Sequence, residues 1–315
     1  MSQAWSGVFP ALTTPFREDS SIDFAALSAH IERLLAAGIH GLVVLGSLGE
    51  NASLSPEEKL AVLRSAARTT KGRVPLLAGI AEATQQEAER FIQAAADGGA
   101  NGIMLLPPMR YRGDSEETLA FLATAARSSP LPVMIYNNPV AYGTDVTPEM
   151  FARLTSVDSI VALKESSGDV RRITDIIRLC GDRYRIFVGV DDLALESFLL
   201  GATGWVAGLV CAFPEESTAL YGLAHAGRWE EARTLYRWFM PLLHLDASPR
   251  FVHNIKLVQQ LRGFGPARLR PPRLPLTEGE RAKIEQMVRE AAERRPEIET
   301  LIRLGLQCSN AVLKR

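Results

Sequence analysis

The chain has 315 residues, of which 47% are hydrophobic and 23% are charged, so it is too apolar to belong to the class of disordered proteins. Its 35 lysines and arginines balance 36 aspartates and glutamates, and this leaves no basic excess to attract a nucleic acid or an anionic membrane. Three scattered cysteines, Cys180, Cys211 and Cys308, are too few for a disulfide framework or a zinc site and favour a reducing compartment.

Two segments bear on localisation. Residues 1–16 contain neither a basic region nor a long apolar region, so they do not predict a signal peptide. The range 197–214 has no charge and reaches the lower end of transmembrane length, but its glycines divide it into the end of a helix and a strand. We therefore predict a soluble, cytoplasmic protein.

Eight short apolar runs bounded by glycine or proline recur along the chain. They lie at 7–16, 41–47, 75–81, 102–108, 132–138, 160–166, 185–192 and 204–214. Most are continuously apolar, as is typical of parallel strands that are covered on both faces.

Segments of helical period lie between these runs, and several begin with a capping residue. Asp23, Ser55, Thr84 and Thr147 are the predicted caps, and Ser55 is followed by a proline and by a glutamate three residues on. Eight alternating strand and helix units predict an α/β fold, a (β/α)₈ TIM barrel. The alternative is a doubly wound open sheet, but no GxGxxG follows the first strand.

The predicted domain organisation is a catalytic barrel at 1–224 and a C-terminal helical region at 225–315. The second range contains three segments of helical period and a proline- and arginine-rich link. Thr277 and Glu280 predict a capping box after that link.

Lys164 is the most informative residue, because it follows an apolar run in a strand predicted to be buried. Active sites of such barrels lie at the C-terminal ends of the strands. Lys164 is either a structural lysine paired with a carboxylate or an amine made nucleophilic by desolvation. The available carboxylates are Glu165, Asp191 and Asp192. Lowering a lysine pKa from about 10.4 to 7–8 costs about 4 kcal/mol, and the neutral amine then forms a Schiff base with a ketone.

Two other strand ends carry polar groups. Tyr136 ends the neighbouring strand, where its hydroxyl either exchanges protons near Lys164 or is an ordinary core hydroxyl. The turn at 46–49 has two glycines that let backbone N–H groups converge on an anion, with the Ser47 hydroxyl as a further donor. The alternative is a plain turn between strand and helix. Glu50 is predicted to be a loop or helix-entry carboxylate.

The sequence lacks the residues that two classes of reaction need, namely metal-dependent reactions and reactions of phosphorylated substrates. None of the five histidines lies at a predicted strand end, so a metal-dependent aldolase or hydrolase has no ligands, and we predict no metal. The seventh run ends in Asp191 and Asp192 rather than in a glycine-rich nest, which disfavours a phosphorylated substrate. A small carboxylated keto acid agrees better with these residues.

With these motifs in place, the chain resembles the dihydrodipicolinate synthase / N-acetylneuraminate lyase family. The resemblance rests on 7–16, 46–50, 136–139 and the pair Lys164-Glu165, and it extends from residue 7 to about residue 300. It implies a (β/α)₈ class I aldolase or related lyase that needs no metal or organic cofactor. It also implies a homotetramer arranged as a dimer of dimers.

The resemblance assigns expected roles to individual residues. Lys164 is expected to form the Schiff base, Tyr136 to be the acid/base, and Ser47 with the backbone N–H of Leu48 to bind the substrate carboxylate. Gly46 belongs to the same turn. The other positions expected to line the pocket are Ala11, Gly189 and Val206.

Three positions depart from the family pattern. Leu48 stands where the motif usually carries threonine, and Met109 stands where the synthases carry a relay tyrosine, with Tyr111 two residues further on. Ala141 stands where those synthases carry the arginine that holds the aspartate-semialdehyde carboxylate. Loss of that cation weakens the case for the semialdehyde.

The sequence thus predicts a Schiff-base lyase that acts on a small unphosphorylated 2-oxo acid or its cyclic imine. The leading hypothesis is a catabolic aldolase, dehydratase or deaminase acting on a 2-keto-3-deoxy acid or on a hydroxyproline-derived pyrroline-4-hydroxy-2-carboxylate. One alternative is dihydrodipicolinate synthase, which condenses pyruvate with aspartate semialdehyde. The other is a barrel that binds a keto acid without turning it over.

Overall fold

The computed structural model describes residues 5–110 and 113–312, and its centre is a ring of parallel strands. The strands are β1 (Gly7–Pro10), β2 (Leu42–Val44), β3 (Leu76–Ile80), β4 (Gly102–Leu105), β5 (Val133–Asn137), β6 (Ile160–Glu165), β7 (Arg185–Val188) and β8 (Gly204–Ala207). Nearly all of their residues are buried, because helices cover the outer face and side chains fill the interior. The predicted (β/α)₈ fold is confirmed.

Strand order and register position the site. The order is β1-β8-β7-β6-β5-β4-β3-β2, and a parallel bridge between Ala11 and Val43 brings the first strand back to the second. In the β5–β6 pair Tyr136 lies opposite Lys164. Side chains at paired positions of neighbouring parallel strands point to the same face, so these two residues are neighbours at the C-terminal rim.

The helices alternate with the strands up to β8 and then continue alone. Those before the last strand are α1 (Phe24–Ala36), α2 (Pro56–Thr70), α3 (Gln85–Asp97), α4 (Ser115–Ser128), α5 (Pro139–Tyr142), α6 (Pro148–Arg153), α7 (Arg171–Cys180) and α8 (Ala194–Leu199). Those after it are α9 (Pro214–His225), α10 (Trp229–Leu243), α11 (Phe251–Leu261), α12 (Glu278–Arg294) and α13 (Glu299–Val312).

Helix starts follow the capping signals. The Asp23 carboxylate accepts from the N–H of Ala26, and Ser55, Thr84 and Thr277 each form a reciprocal capping box with the glutamate three residues on. Each box satisfies two backbone donors that the first turn of a helix leaves unpaired. These predicted helix starts are confirmed.

The C-terminal helices pack against the barrel. Helix α13 crosses α9 so closely that a Cβ added at Gly305 would lie 2.4 Å from the carbonyl oxygen of Ala219. The predicted boundary between residues 224 and 225 stays a prediction. The uncharged range 197–214 contains the end of α8 and all of β8, and no helix of the described chain is long and apolar enough to cross a membrane.

A buried ion pair links the β2 turn to the C-terminal region. Glu50 is fully buried and accepts from the ammonium group of Lys256 on α11, from the N–H of Arg270 and from the Arg273 guanidinium. Lys256 also donates to the carbonyl oxygen of Arg268. Glu50 therefore holds the turn that carries Ser47, which gives the predicted loop carboxylate a structural task.

Candidate active site

A cavity of about 540 Å³ opens at the C-terminal ends of the strands. Its walls come from the C-terminal ends of the strands, from the segments that follow them, and from the loop between α10 and α11 with the first residue of α11. The lining residues are Ala11, Gly46, Ser47, Leu48, Met104, Tyr136, Asn138, Val140, Ala141, Lys164, Ser166, Ser167, Gly168, Gly189, Val190, Gly208, Asp246, Ala247, Ser248, Pro249 and Phe251. The volume lies within the range of small-molecule sites in proteins.

Lys164 lies on β6 and reaches into this cavity while only 6% of it is exposed to solvent. Its nitrogen lies 4.2 Å from the centre of the Tyr136 ring. Within the described part of the chain Lys164 forms no ion pair. The amine is therefore buried, beside a phenol, and accessible from the cavity.

The three carboxylates considered as partners of Lys164 bind elsewhere. Glu165 accepts from the side chain of Asn137 and from the N–H of Ser167. Asp192 pairs with His244 at 2.7 Å. The structural-lysine alternative, which requires one of these carboxylates on Lys164, does not agree with this geometry.

Asp191, the third carboxylate, supports the end of β8. It accepts from the indole N–H of Trp205 at 2.9 Å and from the backbone N–H of Leu209 at 2.8 Å. Burial raises its pKa to about 6, and these hydrogen bonds oppose that shift because they stabilise the ionised form.

The electrostatic environment favours the neutral amine of Lys164. Burial lowers its pKa, because the ammonium form loses hydration in the barrel interior, while the charges of Asp246, Tyr142 and Asp191 act in the opposite direction. A larger fraction of the amine is therefore neutral at physiological pH than for an exposed lysine. The neutral form is the nucleophile.

Gly189, directly after β7, makes room for the lysine. A Cβ at this position would lie 2.4 Å from Cε and 2.8 Å from Cγ of Lys164, and 2.0 Å from the Ser166 hydroxyl. Real contacts between carbon atoms are near 3.5–4.0 Å, so only glycine permits the observed position of the lysine side chain.

Tyr136 is held by a neighbouring amide. The Asn138 side chain donates to its hydroxyl at 3.0 Å, and burial raises the pKa of Tyr136. The phenol is therefore protonated at neutral pH and is able to donate a proton to an oxygen atom formed at Lys164.

Tyr142 brings a third hydroxyl into the site, to which the sequence alone gave no role. It ends the short helix α5, between the cap Asn138 and Gly143, whose φ of 75° stops the helix. Its hydroxyl is hydrogen bonded to Ser47, and its ring meets that of Tyr136 edge to face, with centres 5.7 Å apart. The pattern Asn138-Pro139 followed by Gly143 predicts such a single helical turn, but it does not predict where the Tyr142 side chain lies.

Ser166 and Asp246 are two further lining residues that sequence reasoning missed. The Ser166 hydroxyl is buried and has no hydrogen-bond partner among the described residues. Asp246 comes from the loop between α10 and α11, in the region predicted only as a helical appendage.

Most of the predicted pocket residues lie at the cavity. They are Ala11, Gly46, Ser47, Leu48, Gly189 and, among the departures, Ala141. Val206 is not among the lining residues; it lies inside β8, one residue short of the rim, and Gly208 takes the place expected for it. Met109 is exposed and is not among the lining residues, and Tyr111 lies outside the described residues.

Comparisons with known proteins agree with this architecture. A sequence model of the dihydrodipicolinate synthetase family matches residues 4–291. The 4-hydroxy-tetrahydrodipicolinate synthase of Methanospirillum hungatei is 34% identical over 286 residues, which cover 90% of this chain and 97% of that protein. The curated relative from Haloarcula marismortui carries the same name and is 33% identical over 84% of this chain and 87% of its own.

A solved structure is similar over almost the whole chain. The 4-hydroxy-tetrahydrodipicolinate synthase of Methylacidiphilum fumariolicum superposes with a TM-score of 0.91 at 28% identity, covering 94% of this chain and 99% of that one. Together with the family match, this shows that the chain belongs to the dihydrodipicolinate synthetase family, whose enzymes are lyases of the class I aldolase type.

Proposed function

We propose that this enzyme forms a Schiff base between Lys164 and a small 2-oxo acid such as pyruvate. The observation that carries the proposal is a buried amine that lines the cavity 4.2 Å from the ring centre of a protonated phenol and has no ion-pair partner among the described residues. A prophage protein of the same family from Escherichia coli K12, 27% identical with a TM-score of 0.86 over 91% of this chain and 99% of that one, was solved in complex with pyruvate.

The proposed first half-reaction uses the residues of the rim. The neutral Lys164 amine attacks the C2 carbonyl of the 2-oxo acid and gives a carbinolamine. Tyr136 protonates the carbinolamine hydroxyl, which leaves as water, and the protonated iminium remains on Lys164. The iminium withdraws electrons from C3, so that a C–H, C–C or C–heteroatom bond next to it breaks more easily.

The Ser47 turn is the proposed site of the substrate carboxylate. The N–H of Leu48 makes no hydrogen bond to any described residue, and Ser47, whose hydroxyl is hydrogen bonded to that of Tyr142, lines the cavity. Backbone donors that converge in a turn stabilise an anion. The hydrogen-bonded hydroxyls of Ser47 and Tyr142 also give a proton a path between the carboxylate site and Tyr136.

Because of the names of the curated relatives, aspartate semialdehyde is the compound to test first as the second substrate, beside pyruvate. Both relatives described above are called 4-hydroxy-tetrahydrodipicolinate synthase, which favours condensation with pyruvate over the catabolic reaction that the sequence led us to expect. In this reaction the C3 carbanion of the pyruvate enamine adds to the aldehyde carbon.

A second candidate is cleavage, dehydration or deamination of a hydroxylated 2-oxo acid or its cyclic imine. The observation that favours it is the charge of the lining: Lys164 is the only cation among the described lining residues, and the side chain of Ala141 has no polar group. The carboxylate of the semialdehyde would therefore meet no second positive group there. Because the iminium is common to both reactions, Lys164 and Tyr136 would have the same tasks.

Borohydride trapping tests the shared step. We expect reduction in the presence of pyruvate to leave a mass adduct on the peptide that contains Lys164. Lys164→Met should abolish the adduct, whereas Lys59→Arg, at a buried lysine paired with Glu82 and outside the cavity lining, should retain it. Absence of an adduct in the wild type would overturn the proposal and favour a barrel that only binds keto acids.

Assays with a substrate panel separate the two candidates. Pyruvate with aspartate semialdehyde is compared with 2-keto-3-deoxy acids and with the hydroxypyrroline carboxylate. If condensation is weak, Ala141→Arg should raise it, because a cation at the mouth of the cavity can hold the second carboxylate. The homotetramer and the cytoplasmic location stay predictions, which sedimentation and cell fractionation would test.

A further inference from the structure

Asp246 has a place in the cavity that the proposed chemistry does not use. It follows α10 in the loop that leads to α11, and this loop supplies Asp246, Ala247, Ser248 and Pro249 to the cavity wall. Most of the other lining residues lie at the C-terminal ends of the strands and in the segments that follow them. The C-terminal region therefore forms one side of the site rather than only packing on the outside of the barrel.

The Asp246 carboxylate lies against the end of β8. A Cβ added at Gly208 would lie 1.9 Å from its Oδ1 atom, so glycine at 208 is what allows the carboxylate to approach the rim. The side chain is half-buried, and it forms no hydrogen bond or ion pair with any residue of the described ranges. Its oxygen atoms are thus available to a molecule in the cavity.

The charges around the cavity are few. Of the lining residues that the structure describes, only Lys164, Tyr136 and Asp246 ionise. Lys164 and Asp246 attract each other, although they are not in contact, and the buried Asp191 repels Asp246. Burial and this repulsion raise the pKa of Asp246 above its usual range, whereas the positive charge of Lys164, which the protonated iminium also carries, favours the ionised carboxylate.

We propose that Asp246 binds the part of the substrate beyond C3 and selects a hydroxyl or amino group there over a second carboxylate. This inference rests on the proposed Schiff-base function, since it assumes that C2 lies at Lys164. A hydroxyl or amino group satisfies the otherwise unpaired carboxyl of Asp246. A second carboxylate would meet a like charge and no second cation among the described lining residues.

Three 2-oxo acids test this selection by their half-saturating concentrations for borohydride trapping. They are 2-oxobutanoate, which has a methyl group at C4, 4-hydroxy-2-oxobutanoate, which adds a hydroxyl there, and 2-oxoglutarate, which ends in a second carboxylate. We expect the wild type to prefer the hydroxylated acid over 2-oxobutanoate by about tenfold. It should accept 2-oxoglutarate least.

Two variants separate hydrogen bonding from charge. Asp246→Ala should abolish the preference for the hydroxylated acid, whereas Asp246→Asn should keep part of it and improve 2-oxoglutarate by about tenfold, because the amide removes the like charge. Each preference is taken as a ratio to the trapping of pyruvate by the same variant, so that a general effect of the substitution on Lys164 cancels. Glu230→Gln makes the same change of charge on the exposed face of α10 and should alter nothing.

The opposing results are distinct. If Asp246→Ala keeps the hydroxyl preference, or if both variants lose pyruvate trapping as strongly as the other acids, Asp246 does not select the substrate. If the alanine variant fails to fold, the asparagine variant decides by its response to 2-oxoglutarate. If the wild type gives no pyruvate adduct, the proposed function fails on that result alone. Calorimetric binding of 4-hydroxy-2-oxobutanoate to the wild type and to the Asp246 variants then still tests the role of Asp246.

Discussion

Replacing Gly189 with alanine tests the geometry of the lysine directly. The added Cβ would lie 2.4 Å from Cε and 2.8 Å from Cγ of Lys164. The Ser166 hydroxyl, 2.0 Å away, can rotate aside, but Cγ of the lysine is close to the backbone of β6 and cannot. To restore a normal carbon contact of about 3.5 Å, Cε must move by about 1 Å.

This displacement sets the expected size of the effect. A shift of about 1 Å at a reacting group costs about 10²-fold in rate, so Gly189→Ala should lower the rate of pyruvate trapping by that factor. Overpacking by one methyl group should lower the free energy of unfolding by about 1–3 kcal/mol, which leaves the protein folded. The variant is therefore expected to be an intact barrel with a misplaced amine.

Two measurements on the same samples check this prediction. Trapping with pyruvate and borohydride, followed over time by intact-protein mass spectrometry, gives the rate, and denaturant unfolding gives the stability. Gly279→Ala is the matched control, because a Cβ there meets nothing within 4 Å and the position lies in α12, where alanine favours the helix. Trapping at the wild-type rate in Gly189→Ala would refute the placement of Lys164.

Three other substitutions give separate tests. Tyr142→Phe removes the hydroxyl that bonds to Ser47 and should lower kcat by about 10²-fold with little change in KM. Tyr184→Phe is the control and should leave kcat unchanged, because the Tyr184 hydroxyl bonds to a backbone carbonyl and Tyr184 is not a lining residue. Equal effects of the two variants would contradict a proton path through Tyr142. Lys164→Met should be more stable than the wild type at pH 6, and the difference in the free energy of unfolding should shrink as pH rises towards 10.4. The reason is that folding lowers the pKa of Lys164: the destabilisation caused by burying its ammonium form is complete below the folded-state pKa and disappears above the unfolded-state pKa. A constant difference between pH 6 and pH 10 would be inconsistent with this cause. Glu50→Leu leaves the buried ammonium of Lys256 without its carboxylate and should lower the free energy of unfolding by about 3–5 kcal/mol. The double variant with Lys256→Met should recover most of this loss. Denaturant titration measures both variants, and an unchanged stability of Glu50→Leu would contradict the structural role of this ion pair.

Local sequence patterns predicted much of the fold. Each apolar run bounded by glycine or proline became a strand, and Ser55 and Thr277 began helices as their capping boxes predict. These signals are readable because capping and burial on both faces depend on residues within a few positions of one another. The same holds for Lys164 and Tyr136, since the ends of adjacent parallel strands necessarily meet at one rim.

The sequence by itself therefore determined the barrel, and it predicted the face that carries the candidate site and the two residues, Lys164 and Tyr136, proposed at its centre. The tertiary structure alone decided which side chains complete the cavity. Tyr142 contacts Ser47 across 95 residues of sequence, Glu50 contacts Lys256 across 206, and Asp246 enters the cavity from a loop in the range predicted only as a C-terminal helical region. Val206 shows the same limit in reverse, because a shift of two positions along β8 decides whether a residue lines the cavity or is enclosed in the barrel wall. Such pairings depend on how distant segments pack, and no short-range pattern encodes them.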